Sequence, residues 1–224
     1  MRGRGRRRLG GLVGLGLLAA CTLRGDGERA SEERVVDYFD TVEVFDSFVA
    51  ELVVDPSLLV DTDLTITVAG DGNALGRLFT GVHEVATLSV GVDPNHLTKL
   101  ELTPELVAPL PVLKKLHAAD AAAVTVEGAS GALLLSLEQD ATATVTGVTA
   151  GVVTVAAAGA SALELAGEGP SLEISASGSA GVDARRFRAA AVTIDAQGTG
   201  KIVVCGADVA VAGPGEGAVE KRCE

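Results

Sequence analysis

From about residue 113 the chain repeats itself every nineteen or twenty residues, and this repeat decides what it can fold into. One apolar column reads Leu116, Leu135, Val155, Ile174 and Ile194. A second, two residues on, reads Ala118, Leu137, Ala157, Ala176 and Ala196. A third reads Val124, Ala143, Leu163, Val182 and Ile202, and a fourth Val126, Val145, Leu165, Ala184 and Val204. Glycines keep step with them: Gly159, Gly178 and Gly198 in one series, Gly128, Gly147, Gly167 and Gly206 in another.

Within a unit the pattern alternates. In residues 133–147, Leu133, Leu135, Leu137, Ala143 and Val145 face one way, and Ser136, Thr142, Thr144 and Thr146 the other. Period-two alternation marks half-buried strands, Val, Ile and Thr suit a pleated surface, and Gly supplies sharp corners. Hairpins would give no reason for identical columns. Coils stacked ~4.8 Å apart would. The fold class is therefore all-β, a single-stranded parallel β-helix (solenoid) with coils of about 20 residues, kept narrow by its inward alanines.

The N-terminal half is less regular. Segments 34–45, 49–54, 64–70 and 85–92 read as strands, and Asp55-Pro56 and Asp93-Pro94 as turns. Three prolines in 104–116 exclude a long helix there. The expected layout is irregular coils over 34–112, regular coils over 113–206 and a C-terminal cap over 207–224, with Gly213-Pro214-Gly215-Glu216-Gly217 ending propagation.

Residues 1–20 are set apart from the fold. Arg2, Arg4, Arg6, Arg7 and Arg8 precede an uncharged apolar run, Leu9 to Ala20, as in a signal peptide; the run is too short to span a membrane. It ends in Leu18-Ala19-Ala20-Cys21, which resembles a bacterial lipobox. That resemblance implies a diacylglyceryl group on Cys21 as mature N-terminus, and Thr22 after it points to the outer membrane. Residues 21–33, polar and charged, read as a lipidated flexible tether. Their Arg24-Gly25-Asp26 matches an integrin-binding tripeptide, too short a motif to carry weight.

Without the signal, 13 basic residues remain of 18 against 30 acidic ones, moving the net charge from −12 to −17. Such a chain does not bind nucleic acid or anionic lipid by charge. In an exported protein Cys205 and Cys223 form a disulfide or remain two free thiols.

The sequence resembles the putative auto-transporter adhesin head GIN domain family over about residues 34–217. The matching pieces are Phe39-Asp40 with Val42 and Val44, Asp71-Gly72-Asn73-Ala74-Leu75 ahead of Leu88-Ser89-Val90, residues 111–116, and the repeated units 172–181 and 192–200. The resemblance implies a right-handed coil and a bacterial exported protein, often a lipoprotein. It carries no functional residues over.

Catalytic signatures are missing. There is no nucleophile elbow, P-loop, H-E-x-x-H, C-x-x-C, EF-hand loop or G-G-x-G-x-D repeat. His83, His96 and His117 are far apart in sequence and read as solvated loop residues. A β-helix acting on polysaccharide needs paired carboxylates in a cleft, and such enzymes usually offer aromatic platforms; this chain has no Trp, one Tyr and five Phe. Hence no enzyme, cofactor or metal site is expected, with Asp61-Thr62-Asp63 a minor candidate for a cation contact. Arg185, Arg186 and Arg188 form the one basic cluster: a patch for an acidic partner, or arginines paired with acids of adjacent coils. Arg186 stands where spacing from Gly167 and Gly206 calls for Gly.

The functional expectation is a non-enzymatic cell-envelope lipoprotein, lipid-anchored and surface-exposed, that binds an envelope protein or surface glycan. A purely structural lipoprotein is the runner-up and a carbohydrate-active enzyme the third reading.

Overall fold

The computed structural model describes residues 23–84, 86–93, 97–215 and 218–224. The strands are β1 (Leu23–Arg24), β2 (Arg29–Val36), β3 (Thr41–Val44), β4 (Val49–Val54), β5 (Leu64–Asp71), β6 (Leu78–His83), β7 (Thr87–Val92) and β8 (Leu97–Lys99). They continue as β9 (Glu105–Leu110), β10 (Lys115–Ala118), β11 (Ala123–Leu137), β12 (Thr142–Ala157), β13 (Ala162–Ala176), β14 (Gly181–Ala196), β15 (Ile202–Ala212) and β16 (Val219–Lys221). A 3-10 segment, Gly72–Arg77, joins β5 to β6.

The repeat columns are vertical stacks. Leu116 pairs with Leu135, Leu135 with Val155, Val155 with Ile174 and Ile174 with Ile194, all in parallel register. All five are at most 3% exposed, and each such side chain taken from water contributes about 1.5–3 kcal/mol. The long strands bend around the coil. In β11, a first face over Ala123–Glu127 turns at Gly128 into a short second face, Ala129–Gly131, then a third face, Leu133–Leu137.

The corner after the third face demands a left-handed backbone. Asp46, Asp120, Gln139, Gly159 and Gly178 all have positive φ. These corners stack too: Ala121 N–H donates to Asp46 O, Asp140 to Asp120, Ala160 to Gln139, Ser179 to Gly159 and Thr199 to Gly178, at 2.7–2.9 Å. The chain meets one conformational need with Asp or Gln in early coils and Gly in late ones, as left-handed residues require.

Three expectations change. First, stacking order departs from chain order. The third-face strand β3 lies between β7 and β10, and the first-face strand β4 between β9 and β11. The chain lays down β3–β4, places β7 and β9 beneath it, and then climbs past it through residues 111–114. Antiparallel strands close the lower end, with β6 on β7 and β5 on both β2 and β9, so the irregular part is not purely parallel. Pro109 fits β9 because β5 pairs only as far as Val107, so the proline occupies an unpaired edge.

Second, the tether is folded. Of residues 21–33, β1 pairs with β8 and β2 begins at Arg29. The expected strand 34–45 is two strands, β2 and β3, separated by residues 37–40. Third, regular stacking passes residue 206: Asp195 pairs with Ala212, and β16 starts a further coil with Val204 opposite Lys221. The expected signal peptide and Cys21 lie outside the described residues.

Candidate binding surface

The docked N-terminus is held by one buried carboxylate. Asp71 is fully inaccessible to solvent. Its Oδ1 accepts from Gly27 N–H at 2.7 Å, and its Oδ2 from Glu101 and Leu102 N–H at 3.0 Å each. Burial pushes its pKa up, but the three peptide donors win and hold it below the ordinary carboxylate value. Gly25 must be glycine, because a Cβ would sit 2.4 Å from the Asp71 carboxyl carbon. The Arg24-Gly25-Asp26 tripeptide is spent on the fold. Arg24 pairs with Glu101 at 2.6 Å, and the Asp26 carboxylate accepts from Glu28 and Asn73 N–H.

At the other end, Cys205 and Cys223 are joined, with Cα atoms 4.7 Å apart. The bridge folds the tail against β14, and Glu224 N–H reaches Arg185 O at 3.3 Å. Two of the three clustered arginines are ion-paired. Arg185 binds Asp183 at 2.5 Å and Glu224 at 3.2 Å, and Arg186 binds Glu164 at 3.2 Å. The Asp183 hydrogen bond raises the Arg185 pKa further, and Arg185 lowers that of Asp183. Arg188 stays exposed, opposite Glu168 in the register. Arg186 does not occupy the glycine column. An extra residue in β14 shifts the register, so Ala166 meets Arg186 and Gly167 meets Phe187. The fully buried Phe187 ring thereby stands beside a residue with no side chain.

His83 ends β6 and His117 lies within β10, so neither is a loop residue; His96 lies outside the described residues. Strand pairing brings Ser89, Glu43 and His117 into one outward row. Ser89 Oγ donates to Glu43 Oε2 at 2.8 Å and contacts His83 Nε2. A nucleophilic serine needs imidazole between itself and the carboxylate. Here the serine hydrogen goes straight to Glu43, so the row acts as a polar clasp. Thr62 donates to Leu59 O beside Asp61 and Asp63, and among the described residues no group of three His, Cys, Asp or Glu could hold a metal.

Two concave areas have strongly apolar linings. One, of about 380 Å³, is lined by Phe45, Phe79, Gly91 and Val92, with Ser89 and Asp46 at its side. Phe79 is 52% exposed. The other, about 500 Å³, is a groove at the level where the regular coils begin, lined by Val112, Gly131, Ala132, Leu134 and Val152 among others. Lys114 stands at its rim, tied to Asp40 at 2.6 Å, which raises the lysine pKa. Sequence periodicity could not show either area, because both arise where coils of different chain order meet.

Fold and surface together define a β-solenoid of mainly parallel coils with grooved flanks. The chain belongs to the family described as putative auto-transporter adhesin, head GIN domain, whose model matches residues 38–220. Among solved structures, a putative adhesin from Bacteroides fragilis is 14% identical with a TM-score of 0.73, covering 90% of this chain and 100% of its own. A putative adhesin from Parabacteroides merdae is 13% identical with a TM-score of 0.60, over 91% and 95%. A putative lipid binding protein from Parabacteroides distasonis is 16% identical with a TM-score of 0.58, over 89% and 99%. At these identities the likeness is one of fold. No curated protein matches the chain.

Proposed function

We propose that the chain is a non-enzymatic envelope lipoprotein, an adhesin-like binding module held at Cys21 on the outer membrane. The observation that carries the binding reading is membership of an adhesin-type family combined with a solenoid whose apolar grooves face outward. The lipid anchor rests on the Leu18-Ala19-Ala20-Cys21 sequence. With that anchor, the two residues from Cys21 to the first strand reach at most about 7 Å, so the lower, antiparallel end of the solenoid would rest at the membrane surface. The upper coils and the disulfide-bonded tail would then point outward, toward an envelope protein or surface glycan.

The anchor is tested by Cys21→Ala, which is expected to abolish labelling by a fatty-acid probe and move the protein out of the membrane fraction. Persistence of either result overturns the anchor. The binding reading is tested by pull-down from envelope extract. A saturable partner is expected, and its absence would favour a purely structural lipoprotein. A glycan-degradation screen is expected to show no turnover; any hydrolysis or elimination product would revive the enzymatic reading.

A further inference from the structure

Strand pairing around the lower coils is complete on two faces and broken on one. β11 is covered from below by β4 over Ala123–Glu127 and by β10 over Leu134–Leu137. Between those stretches, Ala129, Ser130, Gly131 and Leu133 pair only upward, with β12. Among the described residues no strand pairs with them from below. The cause is the skipped coil. After β4 the chain turns away through residues 55–63, and 111–114 rises straight to β10, so no second-face strand lies under β11.

Alternate residues of a parallel strand direct their peptide groups to opposite edges, so this stretch offers free N–H and C=O groups downward. Ser130, Gly131 and Ala132 are consecutive exposed residues. Ala132 falls at a register shift and pairs with nothing in β12. A Cβ added to Gly131 would meet no atom within 4 Å, so the outer side of this stretch is open.

The 500 Å³ groove lies against this same edge. Its walls include Leu134 and Val152, 37% and 40% exposed, and no acidic residue lines it. Lys115 is opposite Leu134 in the register, and no carboxylate pairs with it among the described residues. In a mature chain of net charge −17, Lys115 places a positive charge next to the Leu134 wall of an apolar channel bordered by an unpaired strand.

We propose that this edge and groove take an extended strand of a partner polypeptide by β-strand addition. Peptide groups of the edge supply the hydrogen bonds, Leu134 and Val152 take alternate apolar side chains, and Lys115 takes an acidic residue at one end. The proposal rests on the binding-module reading and names its partner class.

The test uses the soluble Cys21→Ser chain and a fluorescein-labelled synthetic peptide with the sequence of residues 128–135 plus a terminal Asp. That segment lies under β12 in the stack, so it has the shape the edge accepts. Saturable binding by anisotropy is expected, weakened about tenfold when alternate peptide nitrogens are methylated. Ala132→Pro and Val152→Glu are each expected to weaken it similarly with unchanged melting temperature. If Ala132→Pro does not fold, the methylated peptide and Val152→Glu decide alone. Equal binding of the methylated peptide means apolar adsorption only and overturns the proposal. A dimer of this chain that Ala132→Pro dissociates assigns the edge to a second copy and also overturns it. If the variants still capture an envelope component, the groove assignment fails while the binding-module reading stands; if the unaltered chain captures none, both fail.

Discussion

Ser161 lies in a corner column that in the regular coils otherwise holds Ala122, Ala141, Ala180 and Gly200. It is 1% exposed, and its Oγ is a buried side-chain polar atom with no hydrogen-bond partner. Leaving a buried hydroxyl unsatisfied costs about 1–3 kcal/mol. Its neighbours Ala141 and Ala180, at 0% and 1% exposure, show that a methyl group fills this position well. The backbone bond from Gly181 N–H to Ser161 O, at 2.9 Å, does not involve the side chain. Ser161→Ala is therefore expected to stabilise the protein by about 1–3 kcal/mol, about 2–4 °C of melting temperature per kcal/mol at this size. Ser161→Val adds bulk between tightly stacked coils and is expected to cost about 1–3 kcal/mol. Scanning calorimetry on the soluble Cys21→Ser chain reads both. A melting temperature unchanged or lowered by Ser161→Ala would refute the reasoning, because the hydroxyl would then have a partner.

Three further outcomes follow. Gly200→Ala would place a Cβ 1.8 Å from Ala180 O and is expected to cost more than about 3 kcal/mol, at the upper end of single substitutions; Gly131→Ala meets no atom, so its cost is limited to about 1–2 kcal/mol for a left-handed backbone; equal melting temperatures would contradict both. The Asp71 carboxyl is lowered in the folded chain, so its contribution is full above the ordinary Asp range and is lost as pH falls through its folded value. Amide exchange at Gly27 and Leu102 is expected to stay protected at neutral pH and to lose protection first in acid, whereas Asp71→Asn should show the loss at pH 7. Reducing the Cys205–Cys223 bridge, which closes a loop of 18 residues, is expected to cost about 3 kcal/mol, seen as a lower melting temperature with reductant and none in Cys223→Ser.

The regular coils were legible because their inward columns are one residue deep and repeat strictly, as Leu135, Val155 and Ile174 do. The stacking order was not. Val42 and Val44, Leu88 and Val90, and Leu116 and Ala118 present the same apolar pair to the interior, so periodicity says that each is a coil and nothing about which lies on which. The segment 21–33 misled by composition. Arg29, Glu32 and Glu33 belong to the edge strand β2, where Glu32 pairs with Arg34 and Arg34 reaches back to Leu75 O and Leu78 O. The Arg186 column failed because β14 carries one extra residue relative to β13, which sets Phe187 opposite Gly167, and three relative to β15, which sets Gly206 opposite Ala189. The groove was invisible for a related reason, since it records a missing strand.

Cysteine pairing across neighbouring coils tests the stacking most directly. Ser136, Ala156 and Ser175 are successive outward residues of one column, about 4.8 Å apart per step, within disulfide reach for one step and beyond it for two. In the Cys21→Ser chain, Ser136→Cys with Ala156→Cys is expected to crosslink under mild oxidation, and Ser136→Cys with Ser175→Cys is not. Glu43→Cys with His117→Cys should also crosslink, because β3 lies directly beside β10. Crosslinking of the two-step pair, or failure of both one-step pairs in folded protein, would contradict the solenoid and its coil order.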